Sequence, residues 1–268
     1  MIRPAAVPRF SGLRLSRTTR RWTLRLATLS AVLLAWEIGA ADINEIFLTT
    51  PSRILISAYE LTVVTPDIWL ALAQSLGTLA LGLMLTLPVG IVIGLAMGRS
   101  RLVEYSLDPY VTFLYVLPGV SLIPLLVLWF GFDLHLRIVL VFLSAVFPLI
   151  VNTMAGVKNV DQELLDSARS FGATEFQRMR TVILPASMPF MVAGFRIAFS
   201  SAWVGVIVAE MTALLTGIGG LITIYANFFQ TSRLFVPILF IMAVGLVFNA
   251  LIMAAYRLLT PWQEDHVR

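Results

Sequence analysis

Residues able to carry out covalent or metal chemistry are scarce in this 268-residue chain. It has no cysteine, and its two histidines, His135 and His266, are too far apart and too few to indicate a metal cluster or a catalytic triad. The single lysine, Lys158, precedes Asn159 and not serine or threonine, so the chain has no Walker A phosphate loop. We therefore expect no enzyme activity, no bound cofactor and no metal here, and any ATP to bind to another chain.

The remaining chemical candidates are three ionisable residues inside long apolar runs, Glu37, Arg196 and Glu210. If those runs cross a bilayer, such charges are costly enough to be functional candidates. Each also has a structural explanation, because Glu37 and Glu210 could reach headgroups and Arg196 could snorkel. Arg196 and Glu210 lie about 21 Å apart along one helix and cannot pair within it. Both remain candidates for a pathway or a gate.

The composition of the chain is typical of a membrane protein with apolar spans. The chain is 59% hydrophobic and 13% charged, whereas about a quarter of the residues in soluble proteins are charged. We therefore predict an all-α polytopic membrane protein. Runs of about 20 apolar residues can span a bilayer, and six qualify: 23–41, 68–98, 109–130, 136–157, 188–214 and 234–259. The first run also resembles a cleaved signal peptide, but its length and the five later spans favour a retained anchor.

The basic residues predict the orientation. With the N-terminus in the cytoplasm, thirteen of the nineteen basic residues lie in the tails 1–22 and 260–268 and in the segments 99–108 and 158–187, and Arg25 and Arg257 at the inner ends of their spans bring the number on the inner side to fifteen. The positive-inside rule then predicts that both termini are cytoplasmic. This topology accounts for the net charge of +4, and no separate basic domain indicates nucleic-acid binding. The basic N-terminal tail could form a surface helix, although topogenic charge alone explains it.

Small residues and prolines mark further features of the spans. Gly82, Thr86, Gly90, Gly94 and Gly98 recur every four residues and predict a close helix-packing seam. Thr50 followed by Pro51 predicts the start of a short helix on the outer side. Prolines within the spans can kink them; these are Pro88, Pro118, Pro124 and Pro148. The glycines of 216–220, among them Gly217 and Gly219, indicate either a re-entrant turn near a gate or a flexible loop.

A charged insert, 158–187, separates the fourth and fifth spans. Asp161 is a predicted N-cap for a helix with Leu164, Leu165, Ala168 and Phe171 on one face, and Val160 is placed to staple onto Leu165. Gly172 breaks that helix. Thr174 and Gln177 form a predicted capping box that opens a second helix through Arg180, and Pro185 marks the return to the bilayer. From the residues alone, this helix-turn-helix could dock on a partner or fold back on its own chain.

The insert resembles the EAA loop of ABC importer permeases. That loop reads E-A-A, three residues, G, nine residues, I-x-L-P, and here the chain reads Asp166-Ser167-Ala168, three residues, Gly172, nine residues, Val182-Ile183-Leu184-Pro185. Asp replaces Glu and Ser replaces the first Ala. The likeness runs from about Pro51 to Trp262 and is greatest to the nitrate, sulfonate and taurine type. One departure is Thr78, where relatives often carry arginine.

This resemblance implies a type I importer fold with a cytoplasmic coupling helix-turn-helix that docks on an ATPase. The implied coupling residues are Leu164, Leu165, Asp166, Ala168, Phe171, Gly172, Leu184 and Pro185. The implied partners are two ATPase copies carrying ATP and Mg, a second permease copy forming a homodimer or a heterodimer, and an outer-face solute-binding protein. Pathway or gate candidates are Arg196, Glu210, Gly217 and Gly219.

The expected function is import of a small solute across the plasma membrane by alternating access. An organic or inorganic anion such as a sulfonate, taurine or nitrate is the leading substrate class. An aromatic or vitamin-precursor ligand is the alternative within the same importer class. An ion-coupled secondary carrier is less favoured, because the chain has no convincing inverted repeat and few acids inside its spans.

Overall fold

The structure is a computed structural model that describes residues 17–259, and every regular element in that range is helical. The α-helices are α1 (Arg17–Ala41), α2 (Pro51–Tyr59), α3 (Asp67–Arg99), α4 (Arg101–Val116), α5 (Ile123–Phe130), α6 (Leu134–Lys158), α7 (Gln162–Ser170), α8 (Glu175–Arg178), α9 (Leu184–Ala209), α10 (Gly217–Asn227) and α11 (Thr231–Leu259). Three π-helical turns occupy Glu60–Val64, Met179–Ile183 and Glu210–Leu214. The predicted surface helix of the basic tail and the tail 260–268 fall largely or wholly outside the described residues.

Five of these helices are long and apolar enough to cross a membrane by themselves: α1, α3, α6, α11 and the helix that runs from Glu175 through α9. A sixth candidate is the bent pair α4 and α5, with an angle of 90° between its two arms. The third predicted span, 109–130, is thus not one straight helix. Pro118 lies in the break between the arms, where it has no amide to continue the hydrogen bonds of α4.

The predicted small-residue seam on α3 packs against α6. A Cβ atom added at Gly90 would lie 2.7 Å from the Leu149 side chain, and one at Gly94 would lie 2.6 Å from Thr153. The two helices run parallel in a constant register, because Gly82 meets Val141 and Gly98 meets Val157 in the same way. The absence of side chains lets the backbones approach closely, as in other membrane helix pairs.

Helix α6 lies at the centre of the bundle, since it also packs along α9. These two helices are antiparallel, because Gly194 meets Asn152 whereas Gly205, later in α9, meets Ser144, which comes earlier in α6. The main apolar core joins α3, α6, α9, α10 and α11, with Trp203 and Phe199 among its buried members. The two ends of the bundle are therefore connected through α6 and its two neighbours.

Helix α2 lies at the end of the bundle opposite the insert 158–187. Thr50 caps it by accepting from the Arg53 amide, and Pro51 occupies the first turn, as the sequence predicted. Glu37 of α1 accepts a hydrogen bond of 3.0 Å from the Ser52 amide, and Trp36 donates one of 3.0 Å to the Thr49 carbonyl. The acidic residue in the first apolar run thus has a structural role, tying a largely exposed α1 to the start of α2.

Candidate functional site

The first helix of the insert, α7, begins where the sequence predicted. Asp161 is its N-cap, and Oδ1 of its side chain accepts a hydrogen bond of 2.9 Å from the Glu163 amide. Val160 and Leu165 pack in one small apolar cluster, which confirms the predicted staple. An N-cap contributes about 1 kcal/mol, so this nine-residue helix has a defined start.

The apolar face of α7 divides between the protein and its surroundings. Leu165 is half-buried against Val157 and Ile183. In contrast, Leu164 is 53% exposed and Phe171 is 91% exposed. Phe176, which no sequence pattern indicated, is 74% exposed on the neighbouring helix. Large apolar side chains exposed together at a charged surface are typical of an interaction site.

The turn between α7 and α8 depends on Gly172. Its φ angle is +76°, a conformation that favours glycine because it has no Cβ. The Ala173 amide donates 3.0 Å to the Ala168 carbonyl and closes the end of α7. Thr174 and Gln177 then form the predicted capping box, with the Gln177 side chain accepting from the Thr174 amide at 2.8 Å.

The second helix of the insert continues into the membrane span. After α8, the π-helical turn Met179–Ile183 joins directly to α9, and the Leu184 amide donates to the Met179 carbonyl. The expectation that this helix ends at Arg180 is therefore wrong. The wider turn places Pro185 in the first turn of α9, where a missing amide costs little. The insert and the fifth span thus form one connected helical element.

Ion pairs hold the insert against the ends of two other spans. Glu175 of α8 lies 2.7 Å from the Arg99 guanidinium at the end of α3, and it also pairs with Arg178. Lys158 lies 2.6 Å from Glu104 of α4. Exposed pairs of this kind contribute about 0–1 kcal/mol each, so they position the insert more than they stabilise the fold.

A second polar cluster lies at the opposite end of the bundle, around Glu210. This carboxylate is fully buried, and the Ser75 hydroxyl lies 2.8 Å from both of its oxygens. The Gly219 amide donates 3.0 Å to Oε2, while the Ile218 amide donates 2.9 Å to the Ser75 hydroxyl. Arg137 approaches Oε1 at 4.0 Å. The cluster joins α3, α6, the π turn after α9 and the start of α10.

The glycines of 216–220 pack directly on this carboxylate. Gly217 has φ of +66°, and a Cβ atom there would collide with Glu210. The Gly217 amide donates 3.1 Å to the Gln74 side chain. Residues from Gly217 onward are the first turns of α10, so this segment is helical and not a flexible loop. The amides at the start of α10 instead point at buried acceptors, as helix N-termini favour.

The predicted pathway residues therefore lie in two places. Glu210, Gly217 and Gly219 come together in the buried cluster, whereas Arg196 lies apart on an exposed face of α9. The Arg196 Nε donates 2.9 Å to Oδ1 of Asn249 on α11. Gln74, Ser75, Arg137 and Asn249 were not foreseen as partners, because nothing in sequence spacing links residues more than 50 positions apart.

The comparisons with known proteins decide the family. Residues 86–265 match the family model described as binding-protein-dependent transport system inner membrane component. The chain belongs to this family. The protein is thus a multi-pass membrane protein and the permease subunit of an ABC importer.

Several named relatives are similar over most of the permease. A putative aliphatic sulfonates transport permease, SsuC of Bacillus subtilis, is 31% identical over 91% of this chain and 89% of its own length. The taurine transport system permease TauC of Escherichia coli is 32% identical over 92% of each chain. The nitrate import permease NrtB of Leptolyngbya laminosa is 31% identical over 68% of this chain and 65% of its own.

Solved structures share the fold. The permease resembles a chain of the MetNI methionine ABC transporter in an inward-facing conformation, with a TM-score of 0.59, 17% identity, and coverage of 74% of this chain and 96% of that one. A chain of an amino acid ABC transporter gives a TM-score of 0.54 at 17% identity. These likenesses confirm the all-helical importer fold that the sequence predicted.

Proposed function

We propose that the permease carries a small oxyanion, such as a sulfonate or nitrate, and that a separate ATPase drives it by gripping the insert 158–187. The observation that carries the coupling role is the pair of exposed apolar side chains, Leu164 and Phe171, on a capped helix at a charged end of the bundle. The names of the sulfonate, taurine and nitrate relatives support the substrate class.

The insert has the mechanical properties that coupling requires. Its outer face offers Phe171 and Phe176 to a groove in a partner. Its inner face is fixed by the Arg99–Glu175 pair and by the apolar cluster that contains Leu165. A load applied to the exposed face is therefore transmitted to the bundle, because packed apolar contacts are stiff.

The force is transmitted along the continuous helical element formed by α8, the π turn and α9. Helix α9 has 26 residues and is about 39 Å long at 1.5 Å per residue. Its far end carries Glu210, where the buried cluster holds α3 and α10. Displacement of the insert thus biases the arrangement at the opposite end, which is the requirement for alternating access.

The other subunits of the proposed transporter are supported by the orientation of the permease and by the size of its helical bundle. Thirteen of the nineteen basic residues belong to the tails 1–22 and 260–268 and to the segments 99–108 and 158–187, which supports a cytoplasmic insert and cytoplasmic termini. ATP and Mg then belong to two ATPase copies on that side. A single bundle offers only one wall of a path, which supports a second permease copy, and a solute-binding protein delivers the anion from outside.

The experiment uses the permease co-expressed with an ATPase and a solute-binding protein encoded beside it. Phe171→Asp is expected to reduce ATPase co-purification and uptake at least tenfold, because the charge replaces an exposed apolar contact and disturbs no packing within the chain. Phe47→Asp is the matched control, since Phe47 is 79% exposed at the opposite end. Normal ATPase recovery with Phe171→Asp, or full uptake without any ATPase, would refute the coupling role.

A further inference from the structure

Arg196 lies within the fifth predicted membrane span, 188–214. It is the thirteenth residue of α9, about 18 Å along the helix axis from Leu184 at 1.5 Å per residue. The predicted span begins at residue 188, about 12 Å from Arg196, and the hydrocarbon layer is about 30 Å thick, so Arg196 lies inside that layer. A guanidinium at that depth needs a compensating group or water.

The structure gives this cation one neutral partner. Its Nε donates 2.9 Å to Asn249 Oδ1, and between residues 17 and 259 no carboxylate forms a salt bridge with it. The bond to Asn249 holds the guanidinium at this depth and so opposes snorkelling toward headgroups. The terminal nitrogens, which suit a planar oxyanion, have no acceptor among the described residues.

Arg196 lines a cavity of about 610 Å³ between α9 and α11. Its polar members are Arg196, Ser200, Ser201 and Asn249, and its walls include Trp203 and Ile252. Sites for small molecules commonly combine apolar walls with a few polar groups that fix orientation. The volume is ample for a nitrate ion or a short alkyl sulfonate.

The same hydroxyls border a second cavity on the other side of α9. This cavity, of about 430 Å³, is lined by Ser200 and Ser201 together with Ser144 of α6. The Ser200 hydroxyl donates 3.0 Å to the Arg196 carbonyl one turn before it. Arg196 and the two serines therefore form a polar strip along an exposed face of α9, which is otherwise strongly apolar.

We propose that Arg196, Asn249 and Ser200 form a transient binding site for a small oxyanion inside the translocation path. This inference rests on the proposed function and deepens it, since it assigns the anion preference to the permease and not only to its binding protein. Arginine binds such groups through paired N–H donors. The exposed position of the site allows an anion to leave, which transport requires.

The first test measures uptake by the complete transporter, with ethanesulfonate, taurine and nitrate offered separately. For whichever anion the wild type imports, Arg196→Gln is expected to lower uptake at least tenfold, and Arg196→Lys to retain at least a third of it. ATPase activity stimulated by the binding protein should stay within twofold of wild type. Arg257→Gln, at the last turn of α11, is the matched control and should leave uptake unchanged. Uptake within twofold of wild type for Arg196→Gln would overturn the site.

The second test needs no transport, so it separates failure of the site from failure of the proposed function. Because the chain has no cysteine, Ser200→Cys introduces its single thiol. Anionic 2-sulfonatoethyl methanethiosulfonate should react with this thiol at a high rate relative to the cationic trimethylammonium reagent. Arg196→Gln should lower the ratio of the anionic to the cationic reaction rate at least fivefold. Ethanesulfonate should protect the thiol only when Arg196 is present.

Two labelling results would overturn the proposal. An unchanged ratio in Arg196→Gln would mean that the guanidinium does not attract anions to this cavity. A thiol that neither reagent reaches would mean that the face is covered by lipid.

Discussion

At the scale of single residues, the buried carboxylate of Glu210 is the most consequential. The cost of burying it is offset by the Ser75 hydroxyl, the Gly219 amide and the nearby Arg137 guanidinium. The sequence identified Glu210 as unusual because it is an acid in an apolar run. It could not identify Ser75 or Arg137, because a serine in a span is ordinary and an arginine at a span end can reach the headgroups.

We expect Glu210→Ala to destabilise the permease by about 3 kcal/mol, because it leaves several buried polar groups without partners. Glu210→Gln should cost less, since its amide keeps one acceptor for the Gly219 amide. The measurement is the midpoint of thermal unfolding in detergent. Glu163→Ala, at an exposed position of α7, serves as the control and should leave the midpoint in place. Equal midpoints for Glu210→Ala and the control would contradict the structural role.

At the scale of elements, the sequence predicted what depends on local spacing. The capping residues Asp161 and Thr174, the turn at Gly172 and the seam on α3 were all predicted from neighbours within a few positions. The bend between α4 and α5 was not predicted, although Pro118 was named as a residue that can kink a helix. Proline permits a kink, but its angle depends on contacts such as Gly119 against the Ser144 hydroxyl of α6, which no local pattern reports.

The seam itself can be tested with two glycines of α3. Gly94→Leu should prevent recovery of folded permease or lower its unfolding midpoint strongly, because a Cβ atom at Gly94 already lies 2.8 Å from the Ile150 carbonyl and overpacking costs about 1–3 kcal/mol or more. Gly77→Leu is the matched control, since nothing lies within 4 Å of a Cβ atom there. Size-exclusion profiles and thermal midpoints report the outcome. Equal behaviour of the two variants would argue against close packing of α3 on α6.

The π turn between α8 and α9 sets how the insert is rotated relative to its span. Deleting Thr181, an exposed residue of this turn, should convert it to α-helix and rotate α8 by about 100° about the helix axis, given 3.6 residues per turn. Uptake should then fall at least tenfold while the permease still folds. Thr181→Ala keeps the residue count and should retain uptake. Full uptake with the deletion would mean that the orientation of the insert does not matter for coupling.

At the scale of the whole molecule, the two ends of the bundle are built differently. The insert end combines exposed apolar side chains with ion pairs such as Lys158–Glu104, which suits a surface that meets a soluble partner. The opposite end also has exposed pairs, such as Arg53–Glu45, and exposed apolar side chains, such as Phe47, but it buries a carboxylate as well, in the Glu210 cluster. Helices α3 and α9 run the full distance between them, with α6 packed on both. We infer that the bundle transmits changes at one end to the other as a unit.

This arrangement serves an importer only in one orientation, with the insert in the cytoplasm. The cysteine-free chain allows a direct test with the single variants Ser170→Cys in the insert and Phe47→Cys at the opposite end, both exposed positions. A membrane-impermeant maleimide should label the thiol at position 47 in intact cells and the thiol at position 170 only after permeabilisation. Phe229→Cys, 68% exposed beyond α10, should behave like position 47. Labelling of position 170 in intact cells would place the insert outside, where no ATP-driven subunit could reach it.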